Sequence, residues 1–278
     1  MQKSVVSVIA QPSGASKRRR GRALNAYAMA MAFLSALPLL ILIPVSLNPL
    51  PMIGFPEGGL SVTWYAKVFR STNFPEAFIT SCFVGLMSTT ISLIAGSLAA
   101  WALTRSRFRG VSAIEAFLLS PLLLARIIYG IAMLIVLTQI GLIRTTLGLI
   151  IAHAVIVMPY VVRIIGGTLI GISRSLEEAA AVLGASQSRI FVFVTLPLLR
   201  PGLIAAAVFG FITSFDEFTM TIFLVGAQTK TLPVEIFRYA ELIVDPAVAA
   251  VSVMLILGTL FGIALLEKTL GLEKVLKA

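Results

Sequence analysis

Charge is scarce in this chain of 278 residues: Asp, Glu, Lys and Arg together make up 12%, about half of the roughly 25% carried by a soluble domain. So little polar surface cannot cover a globule, which excludes an ordinary soluble domain and turns most of the chain toward lipid. Cysteine occurs once, as Cys82, so no disulfide framework exists to be read. Histidine also occurs once, as His153, which argues against a metal site built from histidine and cysteine. A lone histidine inside an apolar run is read most simply as a hydrogen-bonding group between helices. No Gly-rich phosphate-binding loop is present, so the chain is not expected to hydrolyse ATP. Carboxylates are few and no nucleophile stands in a cluster, which disfavours a membrane-embedded enzyme. No repeat of solenoid type occurs.

What the chain has is apolar sequence. It is 58% hydrophobic, with a mean hydropathy of +1.01. A spanning helix needs about 20 mainly apolar residues. Six segments qualify, at about 24–47, 78–103, 112–137, 147–165, 198–226 and 246–266. Their apolar runs are continuous rather than alternating, which favours helices over a barrel. The expected class is an all-α membrane protein with six transmembrane helices.

The net charge of +10 invites a nucleic-acid reading, but its distribution answers otherwise. Six Lys or Arg lie in the N-terminal tail, three around Arg105, four from Arg163 to Arg200 and three in the C-terminal tail. The opposite side receives Lys67, Arg70, Arg144, Lys230 and Arg238, and Arg126 falls within a span. This positive-inside bias places both termini in the cytoplasm. The domain reading is therefore a basic cytoplasmic tail over 1–23, expected to be disordered, a transmembrane domain over 24–266 and a cytoplasmic tail over 267–278. The basic run Lys17-Arg18-Arg19-Arg20 resembles the start of a signal peptide, but the apolar run after it is too long for a cleaved one, so it is read as a retained first helix. Pro38, Pro44 and Pro159 are expected to bend their spans. Trp64 and Tyr65 suit either a short helix at the membrane surface or an aromatic belt.

The loop 166–197 joins the fourth and fifth spans. Ser175-Leu176-Glu177-Glu178 has the form of a capping box, with Ser175 accepting from the amide of Glu178 and the Glu178 side chain reaching back. A helix over Leu176–Leu183 would present Leu176, Ala180 and Leu183 on one face, with Ala179, Ala180 and Ala181 keeping it slim. Gly184 permits the left-handed turn that ends a helix. A second short helix, about Ser186–Val194, leads to Leu196-Pro197. A slim helix with a small apolar stripe fits a groove on a partner; helix physics alone also allows a plain cytoplasmic hairpin.

The run Glu178-Ala179-Ala180-Ala181-Val182-Leu183-Gly184, followed nine residues later by Val194-Thr195-Leu196-Pro197, resembles the EAA loop of ABC importer permeases. Val194 stands where that pattern has Ile. Pro159-Tyr160-Val161-Val162-Arg163, Leu196 to Gly202 and Ser214-Phe215-Asp216-Glu217-Phe218 look like the permeases of spermidine/putrescine-type importers. The resemblance covers most of residues 78–266. It implies a type I importer permease fold and an inner-membrane permease subunit. Leu176, Glu177, Glu178, Ala179, Ala180, Leu183, Gly184, Leu196 and Pro197 would dock onto a dimer of ABC ATPases. A second related permease and an extracytoplasmic solute-binding protein would complete the machine. The implied solute is small and polar, polyamine-like, with an amino-acid derivative, iron or thiamine as alternatives. No cofactor is implied for this chain, since ATP is used by the partner.

Ionisable groups inside a span are costly, which singles out Arg126, Asp216 and Glu217. Counted from the span starts, Arg126 and Asp216 lie at depths of roughly 21 and 27 Å, close enough to meet. These residues form either a structural ion pair between packed helices, or a translocation path with a net charge of −1, in which one carboxylate pairs with Arg126 and the other lines a route suited to a cation. The resemblance implies Pro and an acidic residue where this chain has Ala125 and Arg126, which leaves room for an anionic or zwitterionic solute. Phe211, Phe215 and Phe218 share a helical face that is either packing or a hydrophobic gate. A rival reading is a proton-coupled secondary transporter using Asp216, Glu217 or His153 as a relay.

Overall fold

The computed structural model describes residues 14–71, 73–106 and 109–270. Among these residues twelve α-helices follow one another: α1 (Gly14–Ser46), α2 (Thr63–Arg70), α3 (Asn73–Arg105), α4 (Val111–Leu119), α5 (Arg126–Gln139), α6 (Thr146–Gly171), α7 (Arg174–Val182), α8 (Gln187–Ile190), α9 (Leu196–Leu198), α10 (Arg200–Phe215), α11 (Leu232–Leu242) and α12 (Ala247–Leu270). No strand occurs among the described residues. Among the described residues three helices are long and apolar enough to cross a membrane, and up to five if each of two bent pairs is one crossing.

One compact unit comprises residues 1–65 and 245–260. Here α1 starts at Gly14, inside the segment expected to be a disordered tail. Lys, Arg and Ala are good helix formers, so the helix of the first span propagates back into the basic run. It also runs forward through Pro38 and Pro44. Residues 1–13 of that tail and 271–278 of the C-terminal one lie outside the described residues. The loop after α1 is knotted by Asn48, which is buried. Its side chain donates to the carbonyls of Met52 and Gly54, and its own carbonyl accepts the Trp64 indole N–H at 2.6 Å. Trp64 is thus a buried anchor at the start of the short helix α2.

The second unit comprises residues 66–244 and 261–278. Its centre is α3 packed along α6, with α10 against both. Helices in lipid associate through close packing of small residues and through interhelical hydrogen bonds, and both are present. A Cβ on Gly96 would lie 2.9 Å from Val161, and one on Gly210 the same distance from Val157. Ser92 donates to the carbonyl of Ala154 at 2.8 Å. His153 bridges Ser214 at 2.8 Å and Thr221 at 3.0 Å, and Ser214 meets Ser88 at 3.0 Å. The histidine is therefore the interhelical bonding group that its isolation in the sequence suggests.

Two expected spans differ from the structure. The third is split: residues 111–122 meet α5 at 101°. Pro121 lacks the N–H needed to continue the ladder, Ser120 turns its hydroxyl onto the Phe117 carbonyl at 2.7 Å, and Ala125 is extended before α5 restarts. Within the fifth expected span, 198–226, the helix ends at Phe215 and only a short 3-10 turn, Thr221–Phe223, follows.

Candidate functional site

Two clusters hold the residues singled out above. The first surrounds α7. Its cap is Ser173, whose hydroxyl accepts from the Ser175 amide at 3.3 Å. The expected box from Ser175 to Glu178 does not form, because the chain enters the helix two residues earlier and Ser175 already sits in the first turn. Two reciprocal contacts fix that start against the end of α3. Arg174 donates to the Thr104 carbonyl at 2.6 Å. Arg105 donates to Glu177 Oε1 at 3.1 Å, with its Nε 2.9 Å from Oε2. The Thr195 hydroxyl, in a five-residue π turn after α8, donates to the same Glu177 Oε1 at 2.9 Å.

Glu177 is thus the glutamate that holds the loop together, and Glu178, expected to cap, is exposed. The far end matches expectation more closely. Gly184 has φ 84°, the Ala185 amide donates to the Ala180 carbonyl at 3.1 Å and the Gly184 amide to that of Ala181 at 2.9 Å. This is the Schellman pattern. Because the side of Glu177 faces inward, Ala180 is half-buried and the outward face consists of Leu176, Ala179, Val182 and Leu183. Val182 and Leu183 are each 88% exposed. Val182 and the exposed Phe193 were missed by the sequence reading, although both lie in apolar runs of a segment otherwise assigned to water. Leu196 and Pro197 sit in α9, past the π turn.

The second cluster lies inside the bundle. Arg126 is the first residue of α5, directly after the break, and Glu217 follows the end of α10. The two form an ion pair in which the carboxylate side chain is 1% exposed and the guanidinium 39%. Arg126 also donates to the Tyr160 hydroxyl at 3.4 Å. The other carboxylate oxygen, Oε1, accepts from the Met220 amide at 2.9 Å, and the Glu217 carbonyl accepts from Thr221 at 2.7 Å. Asp216 is exposed beside it. The two carboxylates take different sides although both lie past the end of α10, with Glu217 the paired one. Phe211 and Phe215 stack at 5.7 Å, and Phe78 of α3 joins Phe215 at 6.0 Å. Phe218 leaves this face and packs on Phe237 instead, since the helix that would have aligned it stops at Phe215. Tyr160, Phe78, Ser88, Ser214 and Thr221 were missed. Tyr160 and Ser214 stand in the two stretches that carry the family resemblance, while the signal of Phe78, Ser88 and Thr221 is only a polar or aromatic group inside an apolar run.

Residues 92–267 match the family model described as the binding-protein-dependent transport system inner membrane component. The chain belongs to this family. It is a permease subunit of an ABC importer, an inner-membrane protein and not an enzyme. The permease is 29% identical over 232 residues to the spermidine/putrescine transport system permease protein PotC of Haemophilus influenzae, covering 84% of this chain and 90% of that one. It is 29% identical over 226 residues to the putrescine transport system permease protein PotI of Escherichia coli, covering 79% and 80%. It is also 34% identical over 174 residues to the molybdenum transport system permease protein ModB of Haemophilus influenzae, covering 57% and 76%. In fold, the permease resembles a chain of a bacterial ABC transporter that imports the acidic polysaccharide alginate. The TM-score is 0.75 at 19% identity, over 94% of this chain and 99% of that one. A chain of the MetNI methionine ABC transporter gives a TM-score of 0.59 at 20% identity, over 73% and 95%.

Proposed function

We propose that this permease crosses the membrane six times with both termini in the cytoplasm, and that α7 seats in a groove on an ATPase subunit. The crossings would be α1, α3, the bent pair α4 and α5, α6, α10 and α12. The observation that carries the docking reading is the division of α7 into two sides. Glu177 and Arg174 pin one side to the protein, while Leu176, Ala179, Val182 and Leu183 stand outward as an apolar strip. An apolar helix face that sharply placed suits a complementary groove, and the positive-inside bias puts it on the cytoplasmic side. The partners would be two ATPase copies, a second related permease and an extracytoplasmic solute-binding protein. ATP would be consumed by the ATPases, with no cofactor on this chain, and their closure would drive alternating access.

The solute in this reading is small and polar, polyamine-like. PotC and PotI support it, and so does the charge of the inner cluster: Arg126 neutralises Glu217 and leaves Asp216 as an exposed carboxylate, which favours a cation. The partial exposure of Arg126 beside Tyr160 supports a second reading, an anionic or zwitterionic solute. The test has two arms. Single cysteines at Val182 or Leu183 should crosslink to a copurifying ATPase; absence of any such ATPase would overturn docking and favour the self-powered rival. In vesicles of the reconstituted complex, Asp216→Asn should lower uptake of labelled putrescine. Uptake of an anion or amino acid instead, sensitive to Arg126→Met, would favour the second reading.

A further inference from the structure

The α6 helix has 26 residues, about 39 Å at 1.5 Å per residue, and α7 follows its C-terminal end. At its opposite end lies a cavity of about 310 Å³ whose walls include Arg144, Val225, Gly226, Lys230, Glu235 and Arg238. That volume falls within the range of small-ligand sites, about 300–1,000 Å³. The cavity is built from constrained parts. Arg144 has φ 60°, a left-handed conformation uncommon outside glycine. Its carbonyl accepts the Thr229 hydroxyl at 3.2 Å, and Thr229 Oγ1 in turn accepts the Gly226 amide at 3.0 Å. A Cβ on Gly226 would lie 2.9 Å from that of Arg144, so a glycine lets these two segments close one wall.

The charges in the walls do not balance. Three cations, Arg144, Lys230 and Arg238, face one carboxylate. Glu235 is 2% exposed, and its Oε1 accepts Arg238 Nη2 at 2.9 Å. Its Oε2 is buried with no hydrogen-bond partner, which a carboxylate tolerates poorly. Arg238 is half exposed, at 49%, and lines the cavity together with Glu235. A ligand that satisfies these walls needs an anionic group for Arg144 and Lys230, and a hydrogen-bond donor a few bonds away for Glu235.

We propose that this cavity binds a phosphate-ester head group that carries a hydrogen-bond donor, of the phosphoethanolamine or phosphoglycerol kind. A bare anion would leave Glu235 Oε2 unsatisfied, and a bare cation would meet three like charges. The membrane supplies this chemistry as phospholipid, and solution supplies it as free phosphoethanolamine or glycerol phosphate. The exposed apolar Ile140, Leu147 and Phe237 stand on the same segments as Arg144 and Arg238, giving acyl chains a surface and favouring the lipid source.

The test uses the full chain with the subunits that copurify with it. After delipidation it is incubated with equimolar phosphatidylethanolamine, phosphatidylglycerol and phosphatidylcholine of identical acyl chains, and retained lipid is counted by native mass spectrometry. The two donor-bearing lipids should be retained on the order of tenfold over choline, which has no donor. Glu235→Met should bring that ratio toward one, and Arg144→Gln with Lys230→Gln should weaken all three together. Binding of free phosphoethanolamine without any lipid retention would support the chemistry and assign the site to a solute. Equal retention of the three lipids by the unaltered protein, with no binding of the free compounds, would overturn the proposal, as would a donor preference unchanged by Glu235→Met in folded protein.

Discussion

Glu177→Gln tests the clamp under α7 with little change of shape. The amide still accepts the Thr195 hydroxyl, but Arg105 loses its countercharge. Both side chains are largely enclosed, 12% exposed for Arg105 and 15% for Glu177, so the pair is not a solvated surface bridge worth a few tenths of a kcal/mol. A hydrogen bond to a charged partner contributes about 1.5–3 kcal/mol against about 0.5–1.5 for a neutral one, and a mostly enclosed guanidinium left without its carboxylate adds to the loss. The expected cost is roughly 2 kcal/mol, concentrated on the attachment of α7 to α3. Since each 1.4 kcal/mol is about tenfold in an equilibrium, amides of α7 protected by that attachment should exchange about 10- to 30-fold faster. Hydrogen exchange with mass spectrometry on the detergent-purified complex reads this directly, and uptake should fall with it. The control is Glu178→Gln on the exposed side, expected to leave exchange unchanged. If the two variants gave the same profile, the assignment of Glu177 as the clamp would be wrong.

Gly184→Pro demands φ near −65° where the backbone has 84° and removes the amide that bonds Ala181; uptake should be lost while the protein remains in the membrane fraction. Glu217→Ala leaves Arg126, 39% exposed, without its countercharge at the break before α5, at a cost of about 1.5–3 kcal/mol, so the steady-state level should drop and be partly restored by adding Arg126→Met. Asp216→Asn, at an exposed position, should leave that level unchanged, as quantitative immunoblotting would check. His153→Ala deletes both interhelical bonds of the ring, leaving Ser214 with Ser88 and Thr221 with the Glu217 carbonyl; about 1–3 kcal/mol is at stake, and a lowered Tm of the purified complex is the expected readout.

The C-terminal half of α7 was legible in the sequence because a glycine in that position has one principal use, and the backbone bonds around Gly184 follow from it. Its start was not. Ser173 and Ser175 cap equally well in isolation, and the choice between them is made 70 residues away by Thr104 and Arg105. The same holds for the glutamates: sequence proximity to the alanines drew attention to Glu178, while the partner of Glu177 comes from α3. Inside the bundle, sequence reasoning found the charged residues and brought Arg126 within reach of a carboxylate, but by counting along two straight helices. Hydropathy averages over a window and does not register that an apolar run turns sharply. Pro121 was the visible sign of that turn and went unread. The aromatic face of Phe211, Phe215 and Phe218 failed for the same reason, since a helical period persists only as far as the helix.

That turn has a mechanical consequence. A segment that changes direction by 101° cannot carry thrust along its length, because a push on one arm is spent in flexing the corner. The α6 rod continues through Pro159 without interruption and ends one residue short of the Ser173 cap. In the proposed docked arrangement, a displacement of α7 would run along α6 and reach the bent pair α4 and α5 sideways, through the tether between Tyr160 and Arg126.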